Sequence, residues 1–313
     1  MIRGRALVTG ATGFVGSHLV RRLVHEGLEV HVLRRAGSDF WRMKDILPQV
    51  TTHVADLRDA ESLRVAVRAA RPDYVFHLAA ATVVAGATDP AGDLVGINLL
   101  GTVNLIDAGE ETGYRAMVTT GDSFEYTPTL GRLSEEAACH PTGLHGITKL
   151  AATLQAQAVA RERGRPIVTL RLFSTYGPAD HPRRLVPRII SGALAGTDLP
   201  LSRPEIARDW VYIDDLIDLY LEAGTRADEL AGGVFNAGSG VLGSIGDVVA
   251  TVLALTGSTA EARWGTFEAP HHDRFPWVAD PALTFSRFVW RPRISLEEGL
   301  ARTIAAMRDG AAP

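Results

Sequence analysis

The stretch that most limits the fold is "RALVTGATGFVGSHLVRRLVHEG", residues 5–27. Residues 5–9 read as a short buried strand. Gly10, Gly13 and Gly16 come directly after it, while Val15, Leu19, Leu23 and Val24 recur along one helical stripe that stops at Gly27. A strand that turns through three spaced glycines into a helix has a specific physical use. The first glycine permits a tight turn, the second lets the backbone approach a pyrophosphate, and the third lets the helix pack closely on the strand. The helix N-terminus then offers unpaired N–H groups and a partial positive charge to phosphate oxygens. Glycine spacing alone is weak; with the strand before it and the helix after it, the stretch predicts a dinucleotide-binding unit.

The next segments of the chain repeat the alternation. Apolar runs at 28–35, 50–57, 73–80, 115–120 and 166–173 read as strands, and helical patterns at 59–70, 95–112 and 142–163 fall between or beside them. Such alternation predicts an α/β chain, a Rossmann-type doubly wound parallel sheet covered on both faces. Regularity weakens after about residue 174, so a smaller C-terminal lobe is expected. The boundaries expected are 1–174, with returning segments about 209–237, for the sheet domain, and 175–208 with 238–313 for the lobe. "RDWVYIDDLIDLYLEA" (208–223) reads as a strand entering a helix that Asp214 caps.

At 313 residues, with 32 basic against 36 acidic side chains, the chain carries a formal charge of −4, so no bulk attraction to nucleic acid or an anionic membrane is expected. Cys139 is the single cysteine, which excludes an intrachain disulfide. No signal-peptide pattern and no bilayer-length apolar run occur, and a cytoplasmic soluble protein is expected. The adjacent His271 and His272 are a poor chelating pair without further ligands, and no metal is expected.

The end of the second strand bears on the choice of dinucleotide. A carboxylate there would bond a ribose 2′-hydroxyl, but this chain has Arg34 and Arg35, whose guanidinium groups suit a 2′-phosphate. NADP is therefore expected ahead of NAD. Asp56 in "ADLRD" is placed to accept from an adenine amino group, and "HLAAA" (77–81) offers small side chains where a backbone must pass close to a cofactor.

The chain resembles the extended short-chain dehydrogenase/reductases, the NAD(P)-dependent nucleotide-sugar epimerases, dehydratases and ketoreductases. The resemblance covers nearly its whole length, through "TGATGFVG", "ADLRD", "HLAA", "INLLGTVNLIDA", "RLFSTYGP", "RDWVYIDDL", "FNAGSG" and "WRPRISLEEGL". It implies cofactor contacts from Gly10, Thr12, Gly13, Phe14, Val15, Gly16, Arg34, Arg35, Asp56, Leu57, Leu78, Ala79, Ala80, Lys149 and Phe173. It also implies a nucleoside-diphosphate sugar held by Ser174, Arg183, Arg184, Leu185, Arg208 and Arg274, and a homodimer through the helices at 95–112 and 142–163.

Family members transfer protons with a Tyr, a Lys four residues later and a Ser or Thr from an earlier strand. Here the Lys position is Lys149, but the Tyr position is His145. Counting four back from Tyr126 puts Asp122 in the Ser/Thr slot, with Ser123 beside it. Residues four apart share a helix face, and the resemblance implies that the face carrying His145 and Lys149 meets the nicotinamide end. A neighbouring ammonium favours neutral imidazole and a carboxylate favours imidazolium. The expectation is a coupled replacement, an Asp122–His145 acid/base pair in place of Ser/Thr–Tyr. Open beside it are a packing role for His145, Ser123 as the hydroxyl after a one-residue shift, and a proton from Tyr126 or Tyr176.

The Asp–Glu pair that family 4,6-dehydratases carry after their Thr is absent, since Ser123 and Phe124 stand there, and the Glu that the sugar-acid decarboxylases carry nearby has no match, because Glu125 is displaced towards Tyr126. Exchangeable NADPH suits net reduction, so reduction of a nucleotide-linked keto sugar is expected, for example an NDP-4-keto-6-deoxyhexose. An epimerase with retained cofactor and a degenerate cofactor-binding protein are the alternatives. The Arg–Pro–Gly–Asp/Glu that family members place before a late strand is replaced by Pro270–His271–His272–Asp273, which puts its diphosphate contact in question.

Overall fold

In the computed structural model, which describes residues 2–82, 89–268 and 271–310, the first half of the chain alternates as its apolar periodicity dictates. In order come β1 (Arg5–Thr9), α1 (Phe14–His25), β2 (Glu29–Arg34), β3 (Val50–Val54), α2 (Ala60–Ala70) and β4 (Tyr74–His77). A single turn α3 (Ala91–Asp93) continues through a π-helical stretch, Leu94–Leu100, into α4 (Gly101–Thr112). Then come β5 (Ala116–Asp122), α5 (Leu144–Arg163) and β6 (Ile167–Leu172). The second half holds β7 (Ser174–Tyr176), α6 (Leu185–Ala195), β8 (Leu199–Pro200), β9 (Ala207–Tyr212), α7 (Ile213–Arg226), β10 (Val234–Ala237) and β11 (Leu242–Ser244). It ends with α8 (Ile245–Thr256), β12 (Ala262–Arg263), α9 (Ala282–Arg287) and α10 (Leu296–Arg308).

Seven parallel strands make the main sheet in the order β10-β6-β5-β4-β1-β2-β3, and the strand order reverses between β1 and β4. The inner strands are buried on both faces because helices cover both, whereas edge strand β3 leaves Thr51, Thr52 and Val54 exposed. Leu19 and Leu23 of α1 pack with Leu216 and Tyr220 of α7 on one face. Leu63 and Val67 of α2 pack with Leu105 and Ile106 of α4 and Val159 of α5 on the other. Ligand crevices form outside the carboxyl ends of strands at such a reversal, which here lies between the Gly10 turn and residues 78–81. The small sheet β11-β9-β7, the β12-β8 pair and helices α6, α8 and α10 pack together from the second half of the chain.

Helix α7 corrects one expectation. Its N-cap is Tyr212, with no side-chain cap, and Asp214 lies inside the first turn. There its carboxylate faces the helix's positive end without taking the cap bond. Its neighbour Asp215 instead accepts from the Arg293 and Ile294 N–H groups and anchors the chain before α10. Among the described residues no helix is long and apolar enough to cross a membrane.

Candidate active site

The Gly-rich turn is shaped by backbone crowding. Gly10 has φ +70°, and a Cβ there would stand 2.6 Å from the Ala79 nitrogen. A Cβ on Gly16 would strike the Gly10 carbonyl, so α1 closes directly on the strand end. Gly13 is the N-cap of α1 with no side-chain cap, and no acidic residue occupies the first turn. The helix's unpaired N–H groups and positive end are thus left for an anion, which fits a dinucleotide pyrophosphate. Phe14 opens the helix and meets the His18 ring edge-on at 5.5 Å, while Val15 packs against the core.

At the adenosine end, the Arg34 guanidinium lies 5.5 Å over the Phe40 ring and donates to the Arg35 carbonyl at 3.4 Å. Its Nε is buried with no partner among the described residues. Arg35 is exposed and, with Ser38, Asp56, Arg58 and Ser62, lines a cavity of about 440 Å³ beside the ends of β2 and β3. Asp56 is not idle: Arg58 grips both its oxygens, at 3.0 and 2.7 Å, and reaches Asp93 at 2.7 Å. That grip holds the Asp56 carboxyl below the usual carboxylate range. Leu57 is buried under Gly101.

Behind the crevice runs a hydrogen-bond chain that sequence reasoning missed. Thr102 Oγ1 donates to the Asn98 carbonyl at 2.7 Å, so it accepts from His77 Nε2 at 2.9 Å. His77 Nδ1 therefore accepts from Thr9 Oγ1 at 2.7 Å, and Thr9 Oγ1 in turn accepts from the Ala79 N–H at 3.2 Å. His77 is neutral with its tautomer fixed; burial, with the Lys149 charge adding to it, lowers its pKa to about 3. The Asn98 side chain accepts from the Ala81 N–H at 2.8 Å and donates to the Ala81 carbonyl and to Thr148 Oγ1, both at 3.1 Å. Asn98 sits in the π-helical stretch, an irregularity common at functional sites. It ties the wall at 78–81 to α5; Leu78, Ala79 and Ala80 are all partly buried there.

Asp122, His145 and Lys149 come together at the end of β5 and the start of α5. Gly146 lets α5 ride against the backbone carbonyl of Phe124, where a Cβ would not fit. His145 Nε2 then faces Asp122 Oδ2 at 3.4 Å, and Asp122 Oδ1 accepts from the Phe124 N–H at 2.9 Å. Burial pushes the Asp122 carboxyl up, but His145, the Phe124 N–H and Lys149 together outweigh it and leave it below its ordinary value. Lys149 is buried and donates to the Thr120 carbonyl; burial lowers its pKa against the opposing charges of Glu125 and Asp122. His145 Nδ1 is buried with no partner among the described residues.

Ser123 is buried in the tight turn Ser123–Glu125 that comes after β5. The two tyrosines considered as proton donors are committed elsewhere. Tyr126 is fully buried with its hydroxyl on Asn236 Oδ1 at 2.8 Å, and Tyr176 points to the Ser295 and Leu296 carbonyls. Burial pushes both phenols up. Glu125 turns inward: it accepts from the Asp122 N–H at 2.8 Å, from Thr153 Oγ1 at 3.0 Å and from Arg171 Nε at 2.7 Å. One carboxylate thus braces β5, α5 and β6.

At the far end, Phe173 is buried with Tyr126, Leu133, Trp277 and Ala279, and Ser174 begins β7. Arg183 and Arg184 are exposed, Arg184 at the N-cap of α6 and Leu185 its first residue. Arg208 is largely buried and paired with Asp273, and it also donates to the Phe275 carbonyl at 3.4 Å. Arg274 is exposed, 4.0 Å from Glu268. Of the run 270–273, Pro270 lies outside the described residues.

Comparison with known proteins gives this geometry its context. The description "NAD dependent epimerase/dehydratase family" matches residues 6–238. A dTDP-glucose 4,6-dehydratase from Streptomyces griseus is 30% identical, over 96% of this chain and 92% of its own. The UDP-glucose 4-epimerase of Thermotoga maritima, solved with UDP-glucose, superposes with TM-score 0.88 at 25% identity, over 98% of this chain and 99% of its own. That of Thermus thermophilus, solved with NAD, gives 0.85 at 26% identity, over 97% and 99%. The seven-stranded sheet with its Gly-rich strand–helix turn and these matches agree: this chain is an enzyme of the NAD dependent epimerase/dehydratase family, of the extended short-chain dehydrogenase/reductase type.

Proposed function

We propose that this enzyme uses NADPH to reduce a keto group on a nucleotide-linked sugar, with Asp122 and His145 in place of the usual hydroxyl–phenol pair. The observation that carries the reading is the 3.4 Å approach of Asp122 Oδ2 to His145 Nε2 beside the buried Lys149 ammonium. The dinucleotide, when bound, supplies the hydride. The proton for the carbonyl oxygen must come from the protein. Asp122, ionised, holds a proton on Nε2, so Nδ1, buried and without a partner among the described residues, is the ring atom left for a substrate oxygen once substrate binding uncovers it. Imidazolium donates from Nδ1 to the developing alkoxide and becomes neutral imidazole, still anchored through Nε2. Lys149 adds a positive charge in a dry site, which favours that alkoxide.

NADP preference is supported by Arg34 and Arg35 at the end of β2 and by the Arg35-lined cavity. The substrate diphosphate would draw on Arg183, Arg184 and Arg208, Arg208 exchanging Asp273 for phosphate oxygens, with Arg274 in reach from its exposed turn. The exposed Val95, Leu100, Ile147 and Leu154 side chains support a homodimer through α5 and the 94–112 helix. A second reading, sugar epimerisation with a retained cofactor, is favoured by the likeness to two UDP-glucose 4-epimerases.

Desalted protein should lose its dinucleotide, oxidise NADPH in the presence of an NDP-4-keto-6-deoxyhexose, and show a pH–rate limb in the imidazole range. His145→Ala should remove that limb and Asp122→Asn should lower kcat by roughly 10²–10³-fold. A limb in the phenol range that survives in His145→Ala would overturn the acid/base assignment; cofactor that stays bound with no net NADPH consumption would favour epimerisation.

A further inference from the structure

Arg42 lies eight residues beyond β2, in a short turn formed by Trp41–Met43, and none of the motifs above includes it. Its guanidinium stacks on the Trp41 ring at 4.2 Å. Nε donates to the Ala179 carbonyl at 2.8 Å and Nη1 to the Thr12 carbonyl at 3.2 Å. The Arg42 carbonyl accepts from Arg21 at 2.6 Å, which fixes the backbone from which the side chain departs. The group is thus held against the Gly-rich turn by one contact and against the loop after β7 by the other.

Both its partners are neutral carbonyls. Arg21, which holds the Arg42 carbonyl, is itself matched with the Asp45 carboxylate. Arg42 makes no ion pair among the described residues, although it is half-buried and burial lowers its pKa against the more distant charges of Asp180 and Asp39. A cation withdrawn from water without a counter-ion is costly unless a ligand provides one. A guanidinium has five N–H donors, and carbonyls use two of Arg42's, so three remain for an anion. The turn it touches leads into the uncapped, acid-free N-terminus of α1.

We propose that Arg42 is a ligand of the cofactor's pyrophosphate, supplying from outside the Gly-rich turn the one full positive charge that the helix N-terminus lacks. The proposal rests on the dinucleotide reading of the Gly10–Gly16 turn and is independent of NADP preference and of the reaction. ADP-ribose is the suitable probe, since it carries the pyrophosphate without a 2′-phosphate or a nicotinamide. Titration calorimetry of the full chain at several salt concentrations should show Arg42→Gln weakening ADP-ribose by about 10- to 100-fold. The salt dependence of its binding should become shallower, because one unit charge has gone. Arg42→Lys should keep the salt dependence and recover part of the affinity, and the ligand-free melting temperature of Arg42→Gln should not fall. Unchanged ADP-ribose affinity, or a loss of affinity with undiminished salt dependence, overturns the proposal; the second result would make Arg42 a mere staple between Thr12 and Ala179. Failure of the wild-type chain to bind ADP-ribose would instead overturn the dinucleotide reading itself.

Discussion

Acidification from pH 7 to pH 5 should destabilise this protein through histidines that fold neutral, and His77 is the test case. Its pKa is lowered to about 3, chiefly by burial, and that of His18 to about 4, again chiefly by burial and against a hydrogen bond to the Pro178 carbonyl. In the unfolded chain both titrate near 6.5. A group whose folded pKa is depressed leaves stability intact above the unfolded value. The stability is lost as pH falls below 6.5, where the unfolded state takes up protons that the folded state refuses. Between pH 7 and pH 5 the linkage amounts to about 2 kcal/mol for each of His77 and His18. Asp180 works in the opposite sense. Its carboxyl is raised to about 6, by burial first, so folding gains about 1 kcal/mol over the same interval as it protonates. The histidines outweigh it, and the three together predict a net loss on the order of 2–3 kcal/mol.

Urea unfolding monitored by tryptophan fluorescence at pH 7, 6 and 5 would measure the fall. The contribution of His77 is isolated by His77→Asn, whose amide oxygen can still accept from Thr9 but cannot reach Thr102. This variant should be less stable at pH 7, yet its loss between pH 7 and pH 5 should be smaller than the wild-type loss by about 2 kcal/mol. Parallel curves for the two proteins would refute the neutral, doubly bonded His77 and with it the polarity of the Thr9–His77–Thr102 chain.

Glu125→Gln should cost about 3–5 kcal/mol in the same assay at pH 7, because it leaves the buried Arg171 guanidinium without its carboxylate; a loss under about 1 kcal/mol would show the pair to be dispensable. Gly10→Ala should lower the melting temperature and abolish ADP-ribose binding, since φ +70° and the 2.6 Å approach to the Ala79 nitrogen leave no room for a methyl. Arg34→Ala combined with Arg35→Ala should weaken NADPH about 10-fold or more in a fluorescence titration and leave NADH nearly unchanged; equal losses for both would remove the 2′-phosphate from the account of those residues.

How much of this was legible in the sequence depends on how far apart the interacting residues lie. The Gly10–Gly16 turn, the parallel strands and the shared face of His145 and Lys149 are local patterns, each contained in one turn or one helical period. Asp122 opposite His145 was reachable because a strand end and a helix start were counted from the same motif. The bracing interactions were not. Arg42 bonds a carbonyl 137 residues away, Asn98 a hydroxyl 50 away, and Glu125 an arginine 46 away. None leaves a periodicity or a spacing in the chain. Glu125 matched no carboxylate of the family's other reactions, and only the fold shows it turned inward to hold the Asp122 N–H. Arg208 looked free for a phosphate, and its pairing with Asp273 arises because β9 brings it beside a loop 65 residues on.

The two histidines at the crevice permit one more comparison within the same molecule. A histidine that serves only packing settles both ring nitrogens, since a buried polar atom left alone costs free energy. His77 does so: each nitrogen has a threonine hydroxyl within 2.9 Å, and the direction of every bond around it is fixed. His145, at the start of α5, differs in kind. One nitrogen faces a carboxylate and the other is buried with nothing to bond among the described residues. If His145 were a packing residue, the desolvation cost at Nδ1 would go uncompensated, although Gly146 and Glu125 hold the surrounding backbone closely enough to have placed a partner there. A buried nitrogen without a partner, in a braced site beside a buried ammonium, is what a proton-transfer group awaiting its substrate would show. That contrast with His77 supports the proposed use of Asp122 and His145 as a proton-transfer pair.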